Sequence, residues 1–251
     1  MKISQEEQQE TRKKLLIAAV DIITEKGFKA ATMREIARRG GVSDATIYNY
    51  FATKEKILTA YFEDMQHQTI QTLKTIEDFH SYTLQEQLQT LIETNLEQFK
   101  ADREFVTVAF QRAFQTPLVS KSEMATSRSI FIEAVSDMLD AAIEAGEIPE
   151  QPYQGLIPEL ITDLYLGITY YWLKDDSTSF VLTTQLLDKS LNLTVSLLQS
   201  GIVAKTLDIA SFLFRQHIST YMDNLAPKII KEKINKRPFM QSTSPNSDAK
   251  V

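Results

Sequence analysis

The sequence predicts an all-α fold, with a small helical head at the N-terminus and a larger helical body after it. The chain has 251 residues, 43% of them hydrophobic, and only 7 glycines and 7 prolines. Apolar residues recur every three or four positions along most of it, which is the period of amphipathic helices. Long β-branched runs, which favour strands, are few. We therefore expect helices throughout.

The composition excludes several classes of protein. The chain has no cysteine, which rules out disulfides, thiolate zinc sites and cysteine nucleophiles and is compatible with a reducing compartment. No apolar run approaches the roughly 20 residues of a membrane span. The N-terminal stretch MKISQEEQQETRKK lacks the apolar centre of a signal peptide. We expect a cytoplasmic protein without a membrane partner.

The residue patterns of common enzymes are missing as well. There is no glycine-rich phosphate loop and no nucleophile elbow. His67, His80 and His217 stand apart, without the i, i+4 spacing of a helical metal site. We expect no catalytic residues, no metal and no cofactor.

Charge is distributed unevenly between the head and the body. Residues 1–61 contain 11 Lys and Arg against 8 Asp and Glu, a net charge of +3, and the remainder carries −9, for a total of −6. A basic head on an acidic body favours a polyanion as the partner of the head. Random scatter of charge is the alternative at this magnitude.

The first helix of the head is predicted over residues 11–26. Its apolar residues share one face, and Lys26 and Gly27 form a basic last turn and a stop. That face consists of Leu15, Ala18, Ala19, Ile22 and Ile23.

Three more helices follow at short intervals. Thr32 and Glu35 match a capping box, which predicts a second helix over residues 33–39, ended by two glycines. Ser43 is the predicted N-cap of a short third helix over residues 44–50, and Thr53 that of a long fourth helix over residues 54–76. Two short helices joined by a tight glycine-containing turn form a helix-turn-helix.

A helix-turn-helix places the N-terminal and outward residues of its second helix against base edges in the major groove. Asparagine pairs with adenine through two hydrogen bonds, and an alanine or threonine methyl group contacts the methyl group of thymine. The predicted base-contacting residues are Ser43, Asp44, Ala45, Thr46 and Asn49.

Phosphate contacts are predicted around the same segment. The hydroxyl groups of Tyr48 and Tyr50 suit phosphate oxygens, and Lys54 lies at a helix N-terminus, where free N–H groups also favour an anion. The N–H groups beside Thr32 offer the same chemistry. An anion near phosphates is unfavourable, so we expect Asp44 to serve the helix dipole or to accept from a cytosine amino group.

Either tyrosine alone would more often be a packing residue. The ordered set of capping box, glycine turn, capped short helix and aromatic cluster is what predicts DNA binding, and it resembles a known family. Residues 11–61 are similar to the DNA-binding domain of the tetracycline-repressor-like (TetR) family. The matching residues are Ile17-Ala18-Ala19, Gly27-Phe28, Ala31-Thr32-Met33-Arg34-Glu35-Ile36-Ala37, Gly41-Val42-Ser43, Thr46-Ile47-Tyr48, Tyr50-Phe51, Lys54-Glu55 and Leu58.

The resemblance implies a homodimeric repressor that binds a palindromic operator of double-stranded DNA and releases it when a small molecule binds the second domain. It also implies phosphate contacts for residues 48, 50 and 54 and proximity to bases for residues 45, 46 and 49. Asp44 stands where many members carry lysine or another residue, so no base preference carries over there.

The body continues the helical period. Helices are predicted over residues 84–100, 104–114, 121–145, 158–173 and about 178–200, with Pro158 in a first turn and Gly201 as a stop. Beyond Gly201 we expect an extra amphipathic helix over residues 205–225, then a basic run over residues 228–237 and a disordered tail. We expect this extension to be solvated, and contact of the basic run with DNA is the alternative. The predicted organisation is a DNA-binding domain over 1–61, an effector-binding and dimerisation domain over 62–201, and an extension over 202–251.

The last two helices before Gly201 are apolar on more than one face, so each needs more than one packing partner. We expect one face to cover the core and the other to meet a second subunit across a two-fold axis. A buried helix pair within a monomer is the alternative. The residues assigned to the dimer interface are Tyr171, Leu187, Leu191, Val195 and Leu198.

Aromatic residues in the body suggest an effector pocket, although aromatics at helical spacing are more often core residues. Such residues could line a cavity between bundled helices. The sequence shows no charged residue facing inward that would indicate the charge of a ligand, so we expect a small apolar or amphipathic effector. The residues assigned to the pocket are Phe105, Phe110, Phe131, Tyr165 and Trp172.

Two other functions fit the same fold. One is a transcriptional activator, because the position of the operator relative to the promoter sets the sign of regulation. The other is a dimeric interaction module that does not bind DNA. In the mechanism that we expect, the effector tilts the long helix over residues 54–76 and changes the spacing of two heads on the operator.

Overall fold

A computed structural model of the chain describes residues 4–115, 124–151 and 155–202, together with Lys205, Thr206 and Ile209. All regular structure in these residues is helical, which confirms the all-α prediction. Short 3-10 turns lie at Thr46–Asn49, Phe79–Ser81 and Thr178–Phe180. The α-helices are α1 (Gln5–Lys26), α2 (Met33–Arg39), α3 (Lys54–Leu73), α4 (Leu84–Phe99), α5 (Arg103–Gln115), α6 (Ala125–Glu144), α7 (Leu156–Trp172) and α8 (Val181–Gln199).

The chain divides into two compact units, Met1–Gly201 and Ile202–Val251. The first unit contains every helix named above. Most of the second unit, including most of the predicted helix over residues 205–225 and all of the basic segment after it, lies outside the described residues.

Most helix ends agree with the sequence to within two residues, but four do not, among them the start of α6 at Ala125 instead of residue 121. Helix α1 begins six residues earlier than predicted, because Ser4 and Glu7 form a capping box on an exposed polar turn that has no apolar period. Helix α3 ends at Leu73 instead of residue 76. Helix α8 begins at Val181, after a turn in which Ser179 and Phe180 have positive φ angles of 53° and 57°.

Helix α3 lies at the centre of the fold. It packs against α4 and α6 in the body, and its N-terminal half carries Tyr61 and Phe62 into a cluster of aromatic rings. The Tyr61 ring lies 4.6 Å from that of Phe105, and the Phe62 ring 5.8 Å from that of Phe99. Because α3 starts in the head, this cluster also holds the last helix of the head against the body.

A buried polar network crosses the core where α3, α4 and α7 meet. The Asn95 amide donates to Gln66 Oε1 at 3.1 Å and to Thr69 Oγ1 at 2.9 Å. The Tyr165 hydroxyl donates to Asn95 Oδ1 at 2.7 Å and accepts from Gln66 Nε2 at 3.3 Å. Burial raises the pKa of Tyr165, so its hydroxyl keeps its proton and remains a donor. The Asn95 side chain on α4 is thereby hydrogen-bonded to both α3 and α7, which fixes the positions of the three helices relative to one another.

We predict that Asn95→Ala lowers the free energy of unfolding by about 2–4 kcal/mol, because it leaves buried partners on α3 and α7 unsatisfied. Asn192→Ala is the control, since Asn192 is exposed on α8 and its loss should cost no more than about 0.5 kcal/mol. Denaturant unfolding of both variants measures the difference. Equal losses would show that the network does not stabilise the core.

Candidate nucleic-acid interface and ligand cavity

The head is built around α2, whose N-terminus is capped as predicted. The Thr32 hydroxyl accepts from the Glu35 amide at 3.2 Å, and the Glu35 carboxylate accepts from the Thr32 amide at 3.1 Å and hydroxyl at 2.8 Å. Hydrogen bonds from Lys26 and Thr32 lower the pKa of Glu35 to about 2. The hydroxyl and the amide of Thr32 are thus engaged within the head.

The predicted third helix is shorter than expected. Instead of a helix over residues 44–50, the chain forms a 3-10 turn at Thr46–Asn49. The Ser43 hydroxyl accepts from the Thr46 amide at 3.1 Å and lies 2.7 Å from the Thr46 hydroxyl. Ile47 and Phe51 are buried and anchor the segment. Because these two buried residues are four positions apart, the side chains between them remain outside the core.

The predicted DNA-contacting residues are accessible on this segment. Tyr48 has 56% of its surface exposed, the largest exposed fraction among the described tyrosines. Asn49 is exposed beside it, and Tyr50 is half-buried. Of the remaining candidates, Thr46 is half-buried and Ser43, Asp44 and Ala45 are exposed.

Arg34 is a residue of this surface that the sequence did not single out. Its Nε atom lies 2.8 Å from Asp44 Oδ2, and both side chains are largely exposed. The ion pair gives Asp44 a partner that was not expected, because Arg34 is on a different helix ten positions earlier. It also places a cation beside the start of the segment that carries Tyr48 and Asn49.

Lys54 lies at the start of α3, as predicted, and its ammonium is engaged within the head. Its ammonium donates to the carbonyl oxygens of Phe28 at 2.6 Å and Ala31 at 2.5 Å, and it lies 4.8 Å from the centroid of the Phe28 ring. Burial lowers its pKa. Lys54 therefore holds the loop between α1 and α2 to the start of α3, and its contact with a phosphate stays a prediction.

The body contains a cavity of about 640 Å³, within the range of roughly 300–1,000 Å³ that is usual for small-molecule sites. Helices α3 to α7 contribute to its wall, which is mostly apolar. The lining residues include Phe62, Phe99, Phe110, Ala113, Phe131 and Leu166, and on the polar side Gln66, Arg128, Glu159, Thr162, Asp163, Tyr165 and Tyr170.

Three of the five residues assigned to the pocket line this cavity: Phe110, Phe131 and Tyr165. Phe105 and Trp172 do not, and that part of the prediction is corrected. Phe105 is fully buried against the ring of Tyr61. Trp172 packs on Phe180, with ring centroids 5.6 Å apart. Helical spacing alone could not separate core aromatics from cavity aromatics.

The polar groups of the cavity have two distinct environments. Gln66 and Tyr165 belong to the buried network and are satisfied by Asn95. Arg128 lies nearer to solvent, where its Nη1 atom is 2.8 Å from an Asp163 carboxylate oxygen. The cavity therefore has apolar walls, a neutral polar contact on α3 and charged groups near its exposed edge.

The residues assigned to the dimer interface require a correction. Leu187, Leu191, Val195 and Leu198 are between 0 and 5% exposed, so they are already covered within the single chain. The second apolar row of α8 is the accessible one, with Leu182, Leu193 and Leu197 between 37 and 60% exposed. Tyr171, at 39%, is accessible on α7, and its place in a dimer interface stays a prediction.

In the part of the chain that the structure describes, no group of three or more His, Asp or Glu side chains is placed to hold a metal ion. None of the helices in that part is long and apolar enough to cross a bilayer.

Known families match two segments of the chain. The family of bacterial regulatory proteins named tetR matches residues 15–61, and the family described as the tetracyclin repressor-like C-terminal domain matches residues 87–213. The first segment spans α2 and the exposed segment after it, and the second spans most of the cavity.

Individual proteins resemble the chain over most of its length. The fatty acid metabolism regulator protein of Bacillus subtilis is 28% identical over 191 residues, which are 75% of this chain and 93% of the relative. The HTH-type transcriptional activator FasR of Mycolicibacterium smegmatis is 25% identical over 66% of this chain and 74% of the relative. The crystal structure of the transcriptional regulator FadR from Bacillus subtilis in complex with stearoyl-CoA has a TM-score of 0.57 and 24% identity, covering 75% of this chain and 98% of that one.

We predict that Asp44→Asn increases affinity for duplex DNA of random sequence by about twofold to fivefold, because it removes an anion and releases Arg34 for phosphates. The slope of log K against log salt should become steeper by up to about one. Fluorescence anisotropy at several salt concentrations measures both quantities.

Asp137→Asn is the matched control, because it makes the same change of net charge on an exposed residue of α6 in the body. An equal effect of the two substitutions would mean that net charge, and not the position of Asp44, sets the affinity.

Proposed function

The chain belongs to the TetR family of DNA-binding transcriptional regulators, and from that premise we propose that it is a homodimeric repressor of a palindromic operator, released by a long-chain amphipathic effector. Membership of the family makes it a regulator and not an enzyme. The observation that carries the proposal is the path of α3, which begins at the DNA-binding head and lines the cavity with Phe62 and Gln66.

The proposed interface with DNA is the exposed segment after α2. Asn49 reads a base edge, and the hydroxyl of Tyr48 contacts a phosphate. Ser43, Ala45, Thr46 and Tyr50 flank these two residues, and Arg34 adds a cation from α2. In a dimer the two segments enter successive major grooves, about 34–36 Å apart. The proposed division of roles is DNA binding by residues 1–61 and effector binding and dimerisation by residues 62–201.

The proposed dimer interface uses the accessible apolar rows of α7 and α8. Leu160 and Tyr171 are exposed on α7, and Leu182, Leu193 and Leu197 on α8. The two helices pack against each other, and exposed apolar residues on adjacent helices are typical of an interaction surface. A second copy related by a two-fold axis would cover it with the same residues.

The proposed effector has a long apolar chain and a polar end. Aromatic rings of α3, α4, α5 and α6 line the cavity, which suits an alkyl chain, and the charged groups near the exposed edge, Arg128 with Asp163 and Glu159, suit a polar end. The name of the fatty acid regulator from Bacillus subtilis supports the same class of ligand. A long-chain acyl-CoA has both features, and it is the effector that we propose.

The head is fastened to α3, which supports the proposed mechanism. The Arg12 guanidinium makes two hydrogen bonds to the Asp64 carboxylate, at 2.6 and 3.0 Å, so that α1 is tied to the middle of α3. A tilt of α3 would therefore carry the head with it. An effector shifts the operator affinity only if it prefers one of the two tilts.

An activator of the same fold is the second candidate, and the similarity to FasR, which is named an activator, favours it. The sign of regulation depends on where the operator lies relative to the promoter. A reporter assay with the selected operator placed within and then upstream of a promoter separates the two functions.

We predict that selection from random duplex DNA recovers a palindrome with the full-length protein, and that Tyr48→Ala and Asn49→Ala weaken binding to it by about tenfold or more. Tyr82→Ala is the control, because Tyr82 is an exposed tyrosine of the body. Failure to enrich any sequence with the folded protein would favour the interaction module without DNA binding.

We also predict that the affinity for acyl-CoA depends steeply on chain length. Each CH₂ group removed from stearoyl-CoA should weaken binding by about fourfold, since burial of one CH₂ contributes about 0.8 kcal/mol. Titration calorimetry with chains of 18, 16 and 12 carbons, chosen to span roughly 5 kcal/mol on that scale, measures the slope. A flat series would mean that the chain does not enter the cavity.

A further inference from the structure

Helix α5 carries two kinds of contact within one turn near its C-terminal end. Phe110 and Ala113 line the cavity. Arg112, between them, reaches the head: its guanidinium carbon lies 4.5 Å from the centroid of the Phe28 ring, and its Nη2 atom 3.6 Å from a Glu55 carboxylate oxygen. We propose that Arg112 is a positioning residue that transmits occupancy of the cavity to the head, by a route that does not run along α3.

The contact partners of Arg112 are at the two points that orient the DNA-binding segment. Phe28 is in the loop that leads to Thr32, the N-cap of α2. Glu55 is in the first turn of α3, next to Lys54, whose ammonium binds the carbonyl oxygens of the same loop. Arg112 therefore holds the start of α2 and the start of α3 together from the side of the body.

The contact of Arg112 with Phe28 and Glu55 depends strongly on the distance between these side chains. The Phe28 ring lies near two cations, Arg112 at 4.5 Å and Lys54 at 4.8 Å, and Glu55 supplies the opposite charge beside them. A cation on a ring is attracted only within about 6 Å of the centroid. The Arg112 side chain is 18% exposed, so water replaces the contact less readily than it would at an open surface.

Because α5 is held at its N-terminal end, a displacement of this helix is largest near Arg112. At the start of the helix, Arg103 donates to the carbonyl oxygens of Trp172 at 2.9 Å and Asp175 at 2.8 Å. A helix held at its first residue and pushed from its cavity face moves most at its far end. An occupant that presses on Phe110 and Ala113 would therefore displace Arg112 more than any residue near Arg103.

This inference rests on the proposed release of operator DNA by a cavity ligand. It is tested in the full-length protein with Arg112→Met, which keeps the bulk of the stem but removes the charge, and Arg112→Lys, which restores a cation. Lys100→Met is the matched control, because Lys100 is an exposed cation that pairs with Glu97 on its own helix.

The first measurement is the ratio of operator dissociation constants with and without stearoyl-CoA. In the wild type and in Lys100→Met we expect a ratio within the usual range of about 5 to 150. In Arg112→Met it should shrink at least about fivefold, while the affinities for operator alone and for stearoyl-CoA alone change by no more than about threefold. Arg112→Lys should recover part of the ratio. A wild-type ratio in Arg112→Met would overturn the proposal.

The second measurement needs no effector, because coupling between two sites is reciprocal. Operator DNA should change amide hydrogen exchange over residues 104–113 in the wild type, and this change should be lost in Arg112→Met. If stearoyl-CoA has no effect on the wild type, the proposed effector is wrong, and the exchange result alone decides the role of Arg112. Persistence of the change in Arg112→Met, or its absence in the wild type, would contradict that role.

Discussion

The structure depends on one constraint, the continuity of α3. This helix runs unbroken from Lys54 to Leu73, a length of about 30 Å at 1.5 Å per residue. Its first turn belongs to the head and its middle lines the cavity. The helix has no proline or glycine that would kink it, so we expect a displacement at Gln66 to reach Thr53. Helix α3 is therefore the proposed link between the cavity and the DNA-binding surface.

Helix α3 is held by two kinds of interaction. Charged side chains attach it to the head: Lys54 binds backbone carbonyls at its start, and Arg12 pairs with Asp64 near its middle. In the body, aromatic rings and the buried amide of Asn95 hold the helix. Contacts between partly exposed charges are weakened by salt and are easily exchanged. Salt has little effect on the buried contacts. The head can therefore change its contacts with α3 while the core of the body stays packed.

The sequence predicted most of the head because the relevant signals are local. Thr32 with Glu35, and Ser43 before a short turn, each satisfy backbone N–H groups within three residues, and such pairs are visible in the printed sequence. The same local reasoning missed the pairing of Arg34 with Asp44. It also missed the hydrogen bonds of Lys54, because the carbonyls that accept from this lysine belong to a loop more than twenty residues earlier.

The body was predicted less completely, because its site depends on how helices are rotated. Two apolar rows run along α8, and the sequence cannot show which of them faces the core. The burial of Leu191 and the exposure of Leu193 decide it. Phe105 and Phe110 likewise lie on one helix, yet only Phe110 faces the cavity. Helical periods identify faces, and only packing shows what each face contacts.

The central claim is that cavity occupancy changes the separation of two heads through α3. The chain has no cysteine, so one substitution, Ala52→Cys at an exposed position beside the DNA-binding segment, places one spin label in each subunit. Pulsed electron resonance then measures the distance between the labels. The account predicts a narrow distribution on operator DNA, compatible with grooves about 34–36 Å apart, and a shifted distribution with stearoyl-CoA. The same distribution with and without a bound effector, or no distance between subunits at all, would contradict it.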